Sequence, residues 1–346
     1  MNSTHPSTAV PAPNDIASLA EQARRRHPLQ WLLWLALLAA LCVFPFLVKN
    51  YVVFQFTLVF AYAIALMGLN ILTGYNGQIS LGHGSFYAVG AYTAAIMMDR
   101  FEAPFWSTLP VAALVTFAFG FLMGFPALRL GGHYLALATF ALAVATPQML
   151  KWKGIEEWTG GVQGIVLIKP SPPIEFSLFG SDFNDDRYLY FFCLAVAIVM
   201  FIIAYNLLHG RVGRALIAIR DHPVAAAAMG VNLPMFKSLT FGVSAAFTGI
   251  AGALGGVTVA FVAPDSFIVF LSITFLVGVV VGGLASIQGA IYGALFIQFV
   301  PNIADSISKS APWAVYGVFL IGFMYLMPQG IAGLLRRLSS RFIGTR

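Results

Sequence analysis

Charge is what this chain has least of. Asp, Glu, Lys and Arg supply 9% of its 346 residues, against about 25% in soluble globular domains, whose surfaces must face water. A soluble globular domain is excluded. So is disorder, because 59% of the residues are hydrophobic and the mean hydropathy is +0.85. Cysteine is nearly absent as well. Cys42 and Cys193 each lie in an apolar run and no CxxC pair exists, so they read as buried thiols rather than a disulfide framework or a metal site.

Familiar catalytic signatures are missing. The chain has no GxxxxGK[ST] phosphate loop, no HExxH, no GxSxG and no haem-attachment motif. Without the first it cannot hydrolyse a nucleotide by that route. Its apolar stretches contain few ionisable groups beyond His83 and His133. An enzyme pocket needs converging ionisable groups, and a proton-coupled carrier needs a relay residue within the bilayer. Neither is supplied, which leaves a passive channel or a permease driven by an external motor.

What the chain does have is long uncharged runs. No charge occurs between Lys49 and Asp99, from Ala103 to Leu128, from Ser238 to Pro264, or from Ser266 to Ala304. At ~20 apolar residues per crossing, the composition leaves room for about ten transmembrane helices. The predicted spans lie near 30–48, 51–72, 85–98, 105–127, 132–150, 188–208, 238–262, 267–284, 288–304 and 311–328. Barrel strands would alternate over about ten residues, unlike these Ala-, Leu-, Val-, Phe- and Gly-rich runs, so the expected fold is an all-α polytopic membrane protein. The first run follows Arg24, Arg25 and Arg26 and is read as a retained anchor rather than a signal peptide.

The scarce charges are asymmetric. With the first helix starting inside, inner segments hold Arg24, Arg25, Arg26, Arg129, Arg211, Arg214, Arg220, Lys237, Arg336, Arg337, Arg341 and Arg346. Outer segments hold Lys49, Arg100, Lys151, Lys153, Lys169, Arg187 and Lys309, together with most of the acidic residues. The positive-inside rule then puts both termini in the cytoplasm, and the basic balance needs no nucleic acid to explain it. The expected organisation is a cytoplasmic tail over 1–28, a transmembrane domain over 29–335 and a basic tail over 336–346. Residues 151–187 form a large outer, periplasmic loop and residues 209–237 a large inner one.

Three glycine-rich stretches interrupt the apolar pattern. The first, Gly68 to Phe86, carries Asn70, Asn76, Gln78, Ser80, His83 and Ser85. Glycine allows close backbone approach and helix breaks, and small polar groups can satisfy the backbone freed by a break, so this stretch is a candidate for lining a pathway. Glycine-mediated helix packing is the alternative, and a neutral histidine bonded to a neighbour is the default for His83.

The second stretch lies in the inner loop and includes Gly210, Arg211, Gly213, Arg214, Arg220, Asp221, Ala225, Ala226 and Gly230. It predicts two short helices broken at Asp221 to Pro223, with Asp221 capping the second and Gly230 ending it. Its small residues suit docking into a partner's groove, or a helix lying on the lipid surface. The third, Val281 to Ala294, is faintly like residues 82–91. If helices two to five correspond to helices seven to ten, the two sets form an inverted repeat.

In this order and spacing the three stretches resemble the LivM-type permeases of bacterial branched-chain amino acid ABC importers. The likeness runs from about Leu66 to Leu334 and includes Pro126-Ala127-Leu128-Arg129-Leu130, Thr159-Gly160-Gly161, Gly213-Arg214-Ala215, Pro264-Asp265-Ser266-Phe267 and Pro328-Gln329-Gly330. The resemblance implies a bacterial inner-membrane permease working with a LivH-like second permease, two cytoplasmic ATPases that use ATP, and a periplasmic binding protein for leucine, isoleucine or valine. No cofactor is expected on this chain itself. The inner loop corresponds to the family's ATPase-coupling segment, where Ala227 replaces a frequently acidic residue while Arg214, Asp221, Ala225, Ala226 and Gly230 keep the pattern. Alternatives are an ABC permease for urea, short amides or other hydrophobic amino acids, and a standalone small-solute channel.

Overall fold

A computed structural model describes residues 36, 38–129, 133–172, 177–178, 181–307, 309 and 311–343. The expected 1–28 tail, the start of the first span and the last three residues lie outside it.

The fold is all-α apart from four two-residue strands among the described residues. The helices are α1 (Leu38–Leu47), α2 (Asn50–Asn70), α3 (His83–Arg100), α4 (Phe105–Arg129), α5 (His133–Leu150) and the short α6 (Glu156–Thr159). Next come α7 (Asp185–His209), α8 (Arg211–Asp221), α9 (Pro223–Ala228) and α10 (Leu233–Val259). The chain ends with α11 (Val269–Gly282), α12 (Ile287–Ile307), α13 (Pro312–Leu326) and α14 (Gly330–Ile343).

Each predicted span has a helical counterpart, yet the expected count of about ten crossings is not reached on length and apolarity. Among the described residues six helices meet that standard, and a seventh span is gained if α13 and α14, bent by 43°, count as one. The shortfall has a physical source. α3 is rich in Gly, Ala, Tyr and Thr, while the described part of α1 is short. α10 begins at Leu233 rather than near 238, because the Asn232 side chain accepts the Met235 amide at 3.2 Å and Pro234 fits a first turn.

Two helices form the centre. The span containing α2 is 72% buried and α10 is 78% buried, against 28–39% for the other long spans. α10 packs on α2, α3 and α4, and α2 packs on α7, α11 and α12 as well. Where α3 crosses α10 the backbones touch. Gly90 sits against the Gly249 carbonyl and Gly252 against the Tyr87 carbonyl, with no room for a Cβ at either. Small residues drive helix association in lipid in this way, since burial of apolar surface gives no preference for protein over acyl chain.

Helix α7, about 37 Å long at 1.5 Å per residue, separates the α5–α7 segment from the α8–α9 arm. Between α6 and α7 β1 (Ile165–Val166) pairs antiparallel with a later strand, Phe261–Val262, pinning the loop to the end of α10. The remaining two-residue strands, Ser177–Leu178 and Ser181–Asp182, pair with each other. Ion pairs Lys151–Asp265 (2.5 Å) and Lys169–Asp186 (2.7 Å) tie the α5–α7 segment to its neighbours, while Arg220–Asp221 (2.8 Å) lies at the arm.

Candidate functional site

The break after α2 begins with a π-helical turn, Ile71–Tyr75, and ends at the start of α3. Small polar side chains stitch it to three other helices. His83 Nδ1 lies 3.0 Å from Ser80 Oγ and its Nε2 lies 2.7 Å from Ser244 Oγ on α10. Because the Ser244 hydroxyl donates to the Gly68 carbonyl at 2.6 Å, it must accept from His83. The imidazole is therefore the neutral tautomer carrying its proton on Nε2, with Ser80 donating to Nδ1. Ser272 Oγ on α11 accepts the Gly84 amide at 2.9 Å, Thr139 Oγ1 on α5 accepts the Leu81 amide at 2.9 Å, and the Thr146 and Ser85 hydroxyl oxygens lie 2.8 Å apart.

Asn70 spans the two halves of the bundle. Its Oδ1 accepts the Ala285 amide at 2.9 Å and its Nδ2 donates to the Ser286 carbonyl at 2.8 Å, both in the turn between α11 and α12. Asn76 and Gln78 differ from these residues. Both side chains are buried, and neither has a hydrogen-bond partner among the described residues. A buried amide without a partner costs about 1–3 kcal/mol.

The arm is two short helices, as the sequence predicts, with Gly230 at φ +85° ending the second. α8 is amphipathic: Gly213, Leu216 and Ile219 face the protein, while Arg211, Arg214 and Arg220 are exposed. Gly213 packs directly on the Leu208 carbonyl and fixes the corner between α7 and α8. The expected Asp221 cap is corrected. His222 stands at the N-cap of α9 with no side-chain cap bond, and Asp221 Oδ1 instead accepts from Arg220 Nε at 2.8 Å. That hydrogen bond holds the Asp221 carboxyl below its ordinary range.

Arg220 reaches back to the break, where its Nη1 donates to the Gly74 carbonyl at 2.8 Å. The candidate pathway and candidate coupling residues therefore meet at one bond. The small-residue surface of α9 is only partly open: Ala225 is exposed and Ala226 is buried. The prominent apolar groups on the arm are Val224 and Met229, exposed by 83% and 86%. Sequence reasoning passed over both, and it also passed over Ser244, Ser272, Thr139 and Thr146. Their one signal is a small polar residue inside an otherwise apolar helix. Side chains of Pro126 to Leu130 and of His133 lie outside the described set.

The family model described as "Branched-chain amino acid transport system / permease component" matches residues 51–327, from α2 through α13. The chain belongs to this permease family. The permease is 33% identical over 326 residues to the high-affinity branched-chain amino acid transport system permease protein LivM of Escherichia coli, covering 89% of this chain and 76% of that protein. It is 27% identical over 294 residues to LivH of Salmonella typhimurium, covering 80% and 92% respectively. It is 26% identical over 294 residues to BraD of Pseudomonas aeruginosa, covering 79% and 91%. No solved structure matches the permease significantly. Family membership and the apolar helices together make it a multi-pass membrane protein.

Proposed function

We propose that this permease is the membrane-spanning subunit of an ATP-driven importer for leucine, isoleucine and valine. Similarity to LivM, a high-affinity branched-chain amino acid permease, over 89% of this chain and 76% of LivM carries the reading. Similarity to LivH as well supports a partner permease of that type. Two cytoplasmic ATPases and a periplasmic binding protein complete the assembly in a bacterial inner membrane, with both termini of this chain inside. This chain is not an enzyme and holds no cofactor. ATP is bound and split by the partner subunits.

The break from Asn70 to Ser85 lines the translocation route, and the arm formed by α8 and α9 receives the push of the motor. Exposed Val224 and Met229 on α9 and its end suit a groove on an ATPase, and Arg211 and Arg214 on α8 are exposed as well. Alternating access follows if the motor's closure displaces the arm as a rigid body and the break changes its open side. Along the break the amides of Asn76 and Gln78, unpartnered among the described residues, offer a zwitterionic substrate hydrogen bonds without a fixed charge to trap it. Selectivity then rests mainly on the binding protein.

The test is the ligand profile of the binding protein that operates with this permease. Tight binding of Leu, Ile and Val supports the reading; binding of urea or short amides in their place overturns the substrate assignment.

A further inference from the structure

We infer that Arg220 and Asn70 are positioning residues in one mechanical relay, which carries displacement of the α8–α9 arm through the π-turn into the turn between α11 and α12. The inference rests on the proposal that the arm receives a motor's push, and it names the path taken after that contact.

The relay is continuous in the structure. Asp221 accepts from Arg220 Nε and so orients the guanidinium, whose Nη1 donates to the Gly74 carbonyl at 2.8 Å. The stem of Arg220 lies on Gly77, where a Cβ would come within 2.8 Å of Arg220 Cγ. Gly77 has φ +74°, a conformation that side chains with a Cβ rarely adopt, so two independent features reserve this position for glycine. Gly74 in turn packs against Asn70 Oδ1 and the Ala285 backbone with no room for a side chain. Asn70 grips the amide of Ala285 and the carbonyl of Ser286. Beyond the turn, Gly283 rests on Gly330 at the start of α14.

Three observations mark this segment as able to change state. The turn Ile71–Tyr75 is π-helical, a form that holds one residue more than a regular helical turn and can pass it along the chain by a one-residue shift. Ala285, the residue Asn70 holds, is a non-glycine at φ +55°. The buried amides of Asn76 and Gln78 lack partners among the described residues, so this arrangement leaves hydrogen-bonding capacity that a shifted register could use. A push on α8 thus acts on α2 and on the α11–α12 turn together, one element from each half of the bundle.

The experiment uses the complete importer in proteoliposomes, with both permeases, the ATPases and the binding protein. Arg220→Gln is expected to leave ATPase co-purification and ATP hydrolysis unchanged while lowering uptake about tenfold, within the 5–150-fold range of a typical intersite coupling. Asn70→Ala should give the same uncoupled phenotype, and the double variant should be no worse than either single one. A second measurement does not depend on Asn70 variants folding. Spin labels at Leu284 and Val166, both exposed, replace those residues in a background in which Cys42 and Cys193 are changed to serine. The wild type should show a distance change on vanadate trapping, and Arg220→Gln should abolish it.

Wild-type uptake per ATP in Arg220→Gln, or an unchanged distance response, overturns the relay. Loss of ATPase co-purification in that variant also overturns it, making Arg220 a docking residue while leaving the motor assignment intact. Failure of the wild-type chain to bind any ATPase would instead defeat the underlying functional reading.

Discussion

Asn70 and Ala285 are 215 residues apart in sequence and joined by a 2.9 Å hydrogen bond from the Ala285 amide to the Asn70 side chain. The bond links the end of one central helix to the turn between two helices of the other half. Asn70 and Ser286 are buried from solvent, so a turn that aims backbone groups inward there needs a side chain of this kind to pair with them. Asn70 supplies both an acceptor and a donor, and it closes the α11–α12 turn on each side of Ser286's peptide unit.

His83→Ala tests whether the imidazole is structural. The residue is fully buried and its two ring nitrogens join Ser80 to Ser244. Its removal leaves both hydroxyls with a lost partner and is expected to cost about 2–4 kcal/mol, combining unmet hydrogen bonds with cavity formation. Thermal unfolding of the purified chain in detergent should show a lowered midpoint. An unchanged midpoint would show that the histidine contributes nothing to the fold.

Gly252→Val places a branched side chain where the Tyr87 carbonyl already sits. Overpacking of this kind costs about 1–3 kcal/mol or more, and here backbone stands on the far side and cannot rotate away. The expected outcome is poor accumulation of folded protein in the membrane, measured by fluorescence-detected size exclusion. Gly317→Val on α13, where no atom stands within 4 Å of an added Cβ, should behave like wild type.

Gln78→Leu should stabilise the isolated chain by about 1 kcal/mol, because it removes a buried amide with no partner while conserving volume. The same variant should impair uptake, since the amide's use lies in another state or in contact with substrate. Unfolding midpoint and transport rate, measured side by side, check the opposite signs. A destabilised Gln78→Leu would mean that the amide is satisfied after all.

Gly230→Trp should abolish ATP-driven uptake while leaving membrane insertion intact. Gly230 projects into open space at φ +85°, so tryptophan both strains the turn and covers the face next to Met229. Gly230→Asn separates the two effects, because asparagine tolerates left-handed backbone better than other side chains. Near-normal uptake with Asn and none with Trp would assign the loss to bulk at a contact surface. Wild-type uptake with Trp would remove the arm from the coupling path.

Much of this architecture is legible in residue order. Gly210, Pro223 and Gly230 mark the ends of the two arm helices, and the uncharged runs mark the spans. Legibility fails where tertiary pairing decides. Asp221 has the right position to cap α9, yet Arg220 beside it takes the carboxylate. Ser244, Ser272 and Thr139 look like incidental polar residues in apolar helices until the fold sets them against His83, Gly84 and Leu81. α3 has a helix's length without a span's apolarity, because its glycines and alanines serve contact with α10 rather than lipid. That is why counting hydrophobic runs did not fix the number of crossings.

The most direct test of the account is reconstitution of this chain with and without its proposed partners, with radiolabelled leucine outside and ATP supplied to the motor side. Uptake that requires the second permease, the ATPases, ATP and the binding protein together is the predicted result. Equal leucine flux through vesicles holding this chain alone, with no ATP present, would contradict it.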